Sequence, residues 1–295
     1  MSDYEHLAPR ARSMAGRRPE ERIRSLQFPV WIGYTRARAI LSQLQWLLEH
    51  PPVHRMPNLL IVGRTNNGKT MIIDRFLESQ SSRWGKPEVT MPIVSIQAPP
   101  KPEERRFYGE IVKSLAEVKA VSATAQAQLD VVGLLRAART RMLIIDEIHH
   151  ILAGHIRIQS VFLNAIKYLS NELRIPIIAV GTKDALRAIQ TDPQMANRFE
   201  PAPVPKWVLD DEFRRLLASF ETVLPLQQPS GLAMGNLPLR LLAMCEGQLG
   251  ELRAVLVRAA TVAIESGKEA ITDSILEQLP WTPPSERRAE AERVA

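Results

Sequence analysis

LLIVGRTNNGKTMIID, residues 59–74, runs from an unbroken apolar segment through two glycines, two asparagines and a lysine, then back to apolar residues at helical spacing. A simple turn needs fewer special residues. Gly63 to Thr70 fits G-x-x-x-x-G-K-[ST], and it lies between an apolar strand, NLLIV (58–62), and a helical stretch, TMIIDRFL (70–77). A loop that wraps a polyphosphate turns its backbone N–H groups inward, and Gly63 and Gly68 permit that path and the close approach. Gly63, Arg64, Thr65, Asn66, Asn67, Gly68, Lys69 and Thr70 are therefore the candidate nucleotide contacts. Lys69 is expected to reach the β- and γ-phosphates and the Thr70 hydroxyl to ligate Mg²⁺, while the following helix directs its dipole at the anion. ATP and Mg²⁺ are the cofactors this implies.

A second motif agrees. MLIIDEIHH (142–150) is an apolar strand ending in paired carboxylates. Asp146 would hold the Mg²⁺ through water, and Glu147 is placed to polarise an attacking water. That pairing points to hydrolysis rather than transfer to a small acceptor. Thr182 ends PIIAVG (176–181); it either orients the lytic water and senses the γ-phosphate, or caps the helix KDALRAI, or does both. Arg198, in TDPQMANRFE, either projects into the site of a neighbouring subunit or is a surface arginine. His149, His150 and His155 lie close in sequence, but adjacent histidines cannot face one ion from a regular helix, so zinc is not expected. Trp31, Trp46, Trp84, Trp207 and Trp281 are too scattered for a base-stacking platform and read as packing residues.

Outward from the loop, the apolar runs NLLIV, MPIVSI (91–96), MLIID and PIIAVG alternate with helical patterns, such as Phe107, Ile111, Leu115, Val118 and Val161, Phe162, Ala165, Leu169. Continuous apolar strands separated by helices predict an α/β fold with a parallel sheet covered on both faces. The strand signal stops at EPAPVPKW (200–207). Beyond it come only helical patterns: Phe213, Leu216, Leu217 and Phe220; Leu239 to Cys245; Leu252 to Ala263; and TDSILEQL (272–279). The expected organisation is a basic flexible arm (1–25), a linker and helix (26–55), the nucleotide-binding core (56–206), a small helical lid (207–280) and a charged tail (281–295).

Composition narrows the class. The chain has 295 residues, 45% apolar and 24% charged, as in an ordinary globular protein. No apolar run approaches the ~18 residues of a membrane span. The N-terminus is arginine-rich without an apolar core, unlike a secretory signal. One cysteine, Cys245, excludes an intrachain disulfide framework and fits a reducing cytoplasm. The net charge of +6 and pI near 9.7 favour polyanionic partners.

GRTNNGKT, LIIDEIHHILAG, FLNAIKYLSNEL, IPIIAVGTKDA and QMANRFEPAPVPKW together resemble the TniB family, AAA+ ATPases of Tn5053/Tn402-type transposons related to the TnsC regulators. The likeness spans about residues 25 to 280. It implies an ATP-dependent regulator of DNA transposition that assembles as a ring or helical filament on double-stranded DNA, recruits a DDE transposase, works with a targeting protein and needs no membrane. It assigns Lys69, Thr70, Asp146, Glu147, Thr182 and Arg198 the AAA+ roles above, Arg198 acting in trans. It also implies DNA contact through the segment after the second strand, where Lys101, Arg105, Arg106 and Lys119 are the candidates; interspersed glutamates make a solvated helix face the rival reading, and the arginine-rich arm is a rival DNA contact or a tether to a partner. The lid departs from the family pattern. In GQLGELRAVL, Arg253 lies about one turn beyond the usual second sensor arginine; it is either a nucleotide contact or an arginine on the lid surface. The same nucleotide motifs also suit a helicase loader or initiator, or a signalling NTPase that binds no DNA.

Overall fold

In a computed structural model, which describes residues 4–84, 90–101, 103–117, 130–153 and 156–294, the four apolar runs form neighbouring strands of one parallel sheet. The chain divides into two units: Arg36–Pro205, and a second built from both ends, Met1–Thr35 with Lys206–Ala295. In chain order, α1 (Pro9–Ala15) and α2 (Pro19–Leu26) come first. There follow α3 (Thr35–Glu49), β1 (Asn58–Gly63), α4 (Lys69–Trp84), β2 (Ile93–Gln97), α5 (Glu104–Glu117), α6 (Val131–Ala137) and β3 (Met142–Asp146). A 3-10 turn (Ile148–Ala153) leads to α7 (Ile156–Leu173), β4 (Ile177–Gly181), α8 (Lys183–Gln190), α9 (Pro193–Ala196) and β5 (Phe199–Val204). The chain closes with α10 (Asp211–Val223), α11 (Leu237–Cys245), α12 (Leu249–Glu265), α13 (Asp273–Gln278) and α14 (Pro284–Val294). Among the described residues, no helix is long and apolar enough to cross a membrane.

The strand order is β2-β3-β4-β1-β5, with every pairing parallel. β1 and β4 are buried at every residue and β3 up to Asp146, which is why these strands read as unbroken apolar runs. Phe107, Ile111 and Leu115 of α5 and Phe162, Ala165 and Leu169 of α7 join the core beside Leu60, Ile145 and Ala179. Val161, expected on that same face, is 49% exposed, and Val118 lies outside the described residues. The register sets Val62 beside Gly181, and Gln97 beside Asp146. The carboxyl ends of β1, β2, β3 and β4 therefore share one edge, where ligands bind in open parallel sheets.

β5 is a strand where the sequence reading ends the sheet. Phe199–Val204 contains Pro201 and Pro203, which lack the N–H a ladder needs. The strand survives because, among the described residues, it is an edge strand paired only with β1, and both prolines face outward. Arg198 O accepts from Asn58 N at 3.1 Å on the β1 side, while Pro203 O faces away and accepts from Arg36 Nε at 2.7 Å. The missing donors thus fall on the open edge.

The N-terminal stretch, expected as a flexible arm, is two helices belonging to the unit of the C-terminal helices. Leu7, Ala11 and Ala15 form a small core with Tyr4, and Ala8 N donates to Thr222 O at 2.8 Å. Arg22, 1% exposed, donates through Nε to Pro225 O at 3.0 Å and pairs with Glu269, its Nη1 lying 3.0 Å from Glu269 Oε1. An arginine-rich segment with small apolar residues reads as solvated; its docking becomes visible only with the partner carboxylate in place. Arg22→Ala would leave Glu269 uncompensated and is expected to cost about 3–5 kcal/mol, measured by denaturant unfolding against the parent.

The charged tail is likewise helical. Trp281 donates through Nε1 to Met244 O at 2.9 Å, and the guanidinium groups of Arg258 and Arg287 stack on its ring at 5.1 and 5.4 Å from the centroid. The expected C-terminal helices are present, with Phe213, Leu216, Leu217, Phe220 and Leu252 to Ala263 supplying their buried faces.

Candidate active site

The loop from β1 into α4 is framed by β5. A Cβ on Gly63 would lie 2.6 Å from Val204 O, so only glycine lets the two strands come this close. Gly68 has φ 83° and Asn66 φ 60°, the left-handed steps that wrap the loop. Asn67 is 1% exposed, and its Nδ2 donates to Val204 O at 3.0 Å and Pro205 O at 2.7 Å. Its side chain pins the loop to the end of β5, a task the motif did not announce. Asn67→Ala would strip two carbonyls of this donor; the expected cost is about 1–3 kcal/mol, read in thermal melts, together with weaker nucleotide affinity by titration.

Lys69 opens α4 and is buried, its Nζ donating to Gly63 O at 3.1 Å and Arg64 O at 2.8 Å. Burial lowers its pKa, and the carboxylates of Glu147 and Asp146 push back. Next to it, Thr70 Oγ1 donates to Asp146 Oδ2 at 3.1 Å. The sequence named these two as Mg²⁺ ligands, and the fold brings them into contact from α4 and the end of β3. Two hard oxygen donors beside a buried ammonium at a helix N-terminus suit an Mg²⁺–triphosphate.

Asp146 is held on both sides: Oδ1 accepts from Glu147 N at 2.7 Å, and its carbonyl accepts from Ala98 N at 2.7 Å. Glu147 follows with φ 54°, a left-handed conformation uncommon for a residue other than glycine. Its Oε2 lies 3.2 Å from His149 Nε2, a contact the sequence reading missed. The HH pair itself is the only local signal of it. Thr182 follows β4, which pairs with β3, and its hydroxyl caps α8 by accepting from Asp184 N at 3.4 Å.

Arg198 lies at the other edge of the sheet. It immediately precedes β5 and its carbonyl bonds Asn58 N, at the start of β1, whereas the phosphate loop leaves the far end. Five residues of strand span ~17 Å, so the side chain cannot serve the loop of its own protomer. Its Nη1 donates to Asn171 Oδ1 at 2.7 Å.

Arg253 lies on α12 in the other unit and donates to Leu26 O at 3.1 Å and Gln27 O at 3.0 Å, at the end of α2. Lys101 and Arg105 are exposed just beyond β2, and Arg106 is exposed and paired with Glu103 at 2.7 Å. Lys119 and His155 lie outside the described residues.

The strand order, the loop between β1 and α4, and the acidic pair ending β3 define the P-loop fold of the AAA+ ATPases. The match to a known family is broad as well. Residues 22–209 fit the family described as "Bacterial TniB protein", and the chain belongs to the TniB family. No curated protein matches it in sequence. Among solved structures it is similar to the Aeropyrum pernix ORC2 protein (ADPNP-ADP complexes), with a TM-score of 0.55 and 18% identity over 82% of this chain and 66% of that one. It is also similar to Cdc6p from Pyrobaculum aerophilum, with a TM-score of 0.54 and 18% identity over 84% of this chain and 67% of that one. Drosophila ORC bound to DNA gives a TM-score of 0.58 and 13% identity over 90% and 65%. At such identities the likeness establishes the fold alone, and the match spans about two thirds of those longer chains.

Proposed function

We propose that the chain is an ATP-dependent, DNA-binding regulator of transposition that assembles on target duplex DNA, recruits a DDE transposase and uses ATP hydrolysis to control disassembly. The observation that carries this reading is the split site: Lys69, Thr70, Asp146 and Glu147 converge at one edge of the sheet while Arg198 lies at the other. Membership of the TniB family supports the link to transposition.

In this reading the loop N–H groups and Lys69 hold the phosphates, and Thr70 and Asp146 hold the ion. When bound, Mg²⁺ neutralises charge on the β- and γ-phosphates. Glu147 takes the proton of the attacking water, and the Thr182 hydroxyl orients that water. Arg198 completes the site of a neighbour, so hydrolysis needs a head-to-tail assembly, which closes as a ring or continues as a filament. Lys101 and Arg105, with Arg106 and Lys119 beside them, are the proposed duplex contacts, and phosphate contact suits a protein that accepts many target sequences. Arg253 is proposed as a nucleotide contact only if its bonds to Leu26 and Gln27 are exchanged.

Electron microscopy of the purified chain with duplex DNA tests the assembly. Rings or filaments are expected with a non-hydrolysable ATP analogue and not without nucleotide; a chain that stays monomeric with ATP, Mg²⁺ and duplex at micromolar concentration sinks the proposal. The likeness to ORC and Cdc6 structures supports a second reading, an initiator-type or helicase-loading ATPase. Capture of a DDE transposase by the DNA-bound assemblies separates the two.

A further inference from the structure

Neighbouring residues on a regular α-helix point about 100° apart, so His149 and His150 would face different ways on one. Glu147 enters the turn in the left-handed region, and Ile148–Ala153 continue as a 3-10 turn. Such a turn, at about 120° per residue, separates neighbours no less, so the side-chain torsions and not the helix type bring the two rings together. The two imidazole rings end up 4.9 Å apart between centroids, inclined by 51°. One donor atom from each histidine and a carboxylate oxygen of Glu147 lie within 4.8 Å of one another.

The hydrogen bonds around the cluster assign the nitrogens. His150 Nδ1 lies 3.2 Å from Ala98 O, and a carbonyl only accepts, so Nδ1 carries the proton and the lone pair is left on Nε2. A backbone carbonyl on the far nitrogen is the usual way a metal-ligating histidine is oriented. Among the described residues His149 Nδ1 has no hydrogen-bond partner, and Nε2, 3.2 Å from Glu147 Oε2, is the nitrogen that faces the carboxylate, so an ion bound there takes the place of the Nε2 proton.

We infer that Glu147, His149 and His150 form a binding site for a divalent transition ion of the zinc, cobalt or nickel type. Binding requires the three side chains to turn inward, from donor separations of up to 4.8 Å to the ~2.0–2.2 Å radius of such an ion. Two imidazoles and one carboxylate on one side leave the remaining positions for water, a donor set that selects borderline metals over Mg²⁺. Occupation takes the Glu147 carboxylate away from the attacking water and leaves the Thr70–Asp146 pair untouched. The ion therefore blocks hydrolysis without blocking ATP binding. This consequence rests on the proposed role of Glu147, whereas the binding site itself does not.

Co²⁺ titrated into the full-length, nucleotide-free chain tests the site through its visible absorption. Saturation at one ion per chain is expected, with Zn²⁺ displacing Co²⁺. His150→Ala and Glu147→Gln should each weaken Co²⁺ binding by at least about tenfold, with thermal melts confirming that each variant is folded. No saturable absorption, or an affinity unchanged in both variants, overturns the inference, since His6, His50 and His54 remain in each. Zn²⁺ should also stop hydrolysis by the parent at a concentration that His150→Ala resists. Binding that passes the Co²⁺ test while leaving hydrolysis untouched confirms the site and overturns the role given to Glu147.

Discussion

Replacing Arg198 with alanine is expected to lower ATP hydrolysis by about 10³–10⁵-fold, the range found for arginines that act from a neighbouring subunit. ATP affinity should change little. The reason is positional: Arg198 stands before β5 at the edge of the sheet where β1 begins, and the phosphate loop lies where β1 ends. Trans action has a distinctive signature. Arg198→Ala mixed with Lys69→Ala should regain part of the parental turnover, because one interface then combines an intact loop with an intact arginine. Steady-state hydrolysis across mixing ratios reads this directly. Both variants assembling with no rescue at any ratio would show that Arg198 does not work across subunits.

Glu147→Gln should slow hydrolysis by about 10²–10⁴-fold, the usual contribution of a positioned general base, and leave ATP binding intact. The amide keeps the shape of the side chain but cannot take a proton from water. Asp146 still contacts Thr70 in that variant, so the ion site survives. DNA-bound assemblies should then persist in ATP, where those of the parent turn over. Single-turnover hydrolysis alongside nucleotide titration separates the two effects. A parental rate would remove Glu147 from the role of base.

The core of the fold was legible because its signals are local. NLLIV, MLIID and PIIAVG are apolar at every position, and strands buried on both faces need no other pattern. The phosphate loop was legible for the same reason, since its backbone path demands glycine at Gly63 and Gly68 within eight residues. β5 was hidden by Pro201 and Pro203, which disqualify a central strand but not an edge strand with its missing donors turned outward. The N-terminal helices were hidden because alanines on a short helix carry little hydrophobic signal, and because Arg22 reads as solvated until Glu269 is beside it.

By itself, the sequence determined the parallel sheet, the loop that suits a triphosphate, and the acidic pair expected to serve it, all properties of short contiguous stretches. Tertiary structure decided which distant residues meet: Thr70 with Asp146, Asn67 with the end of β5, Arg22 with Glu269, and the two histidines with Glu147. It also decided that Arg198 stands apart from its own loop. The physical reason is one of range. Backbone geometry and burial leave their mark on neighbouring residues, whereas a hydrogen bond or ion pair between segments tens to hundreds of residues apart depends on where the chain returns, and no local pattern records that.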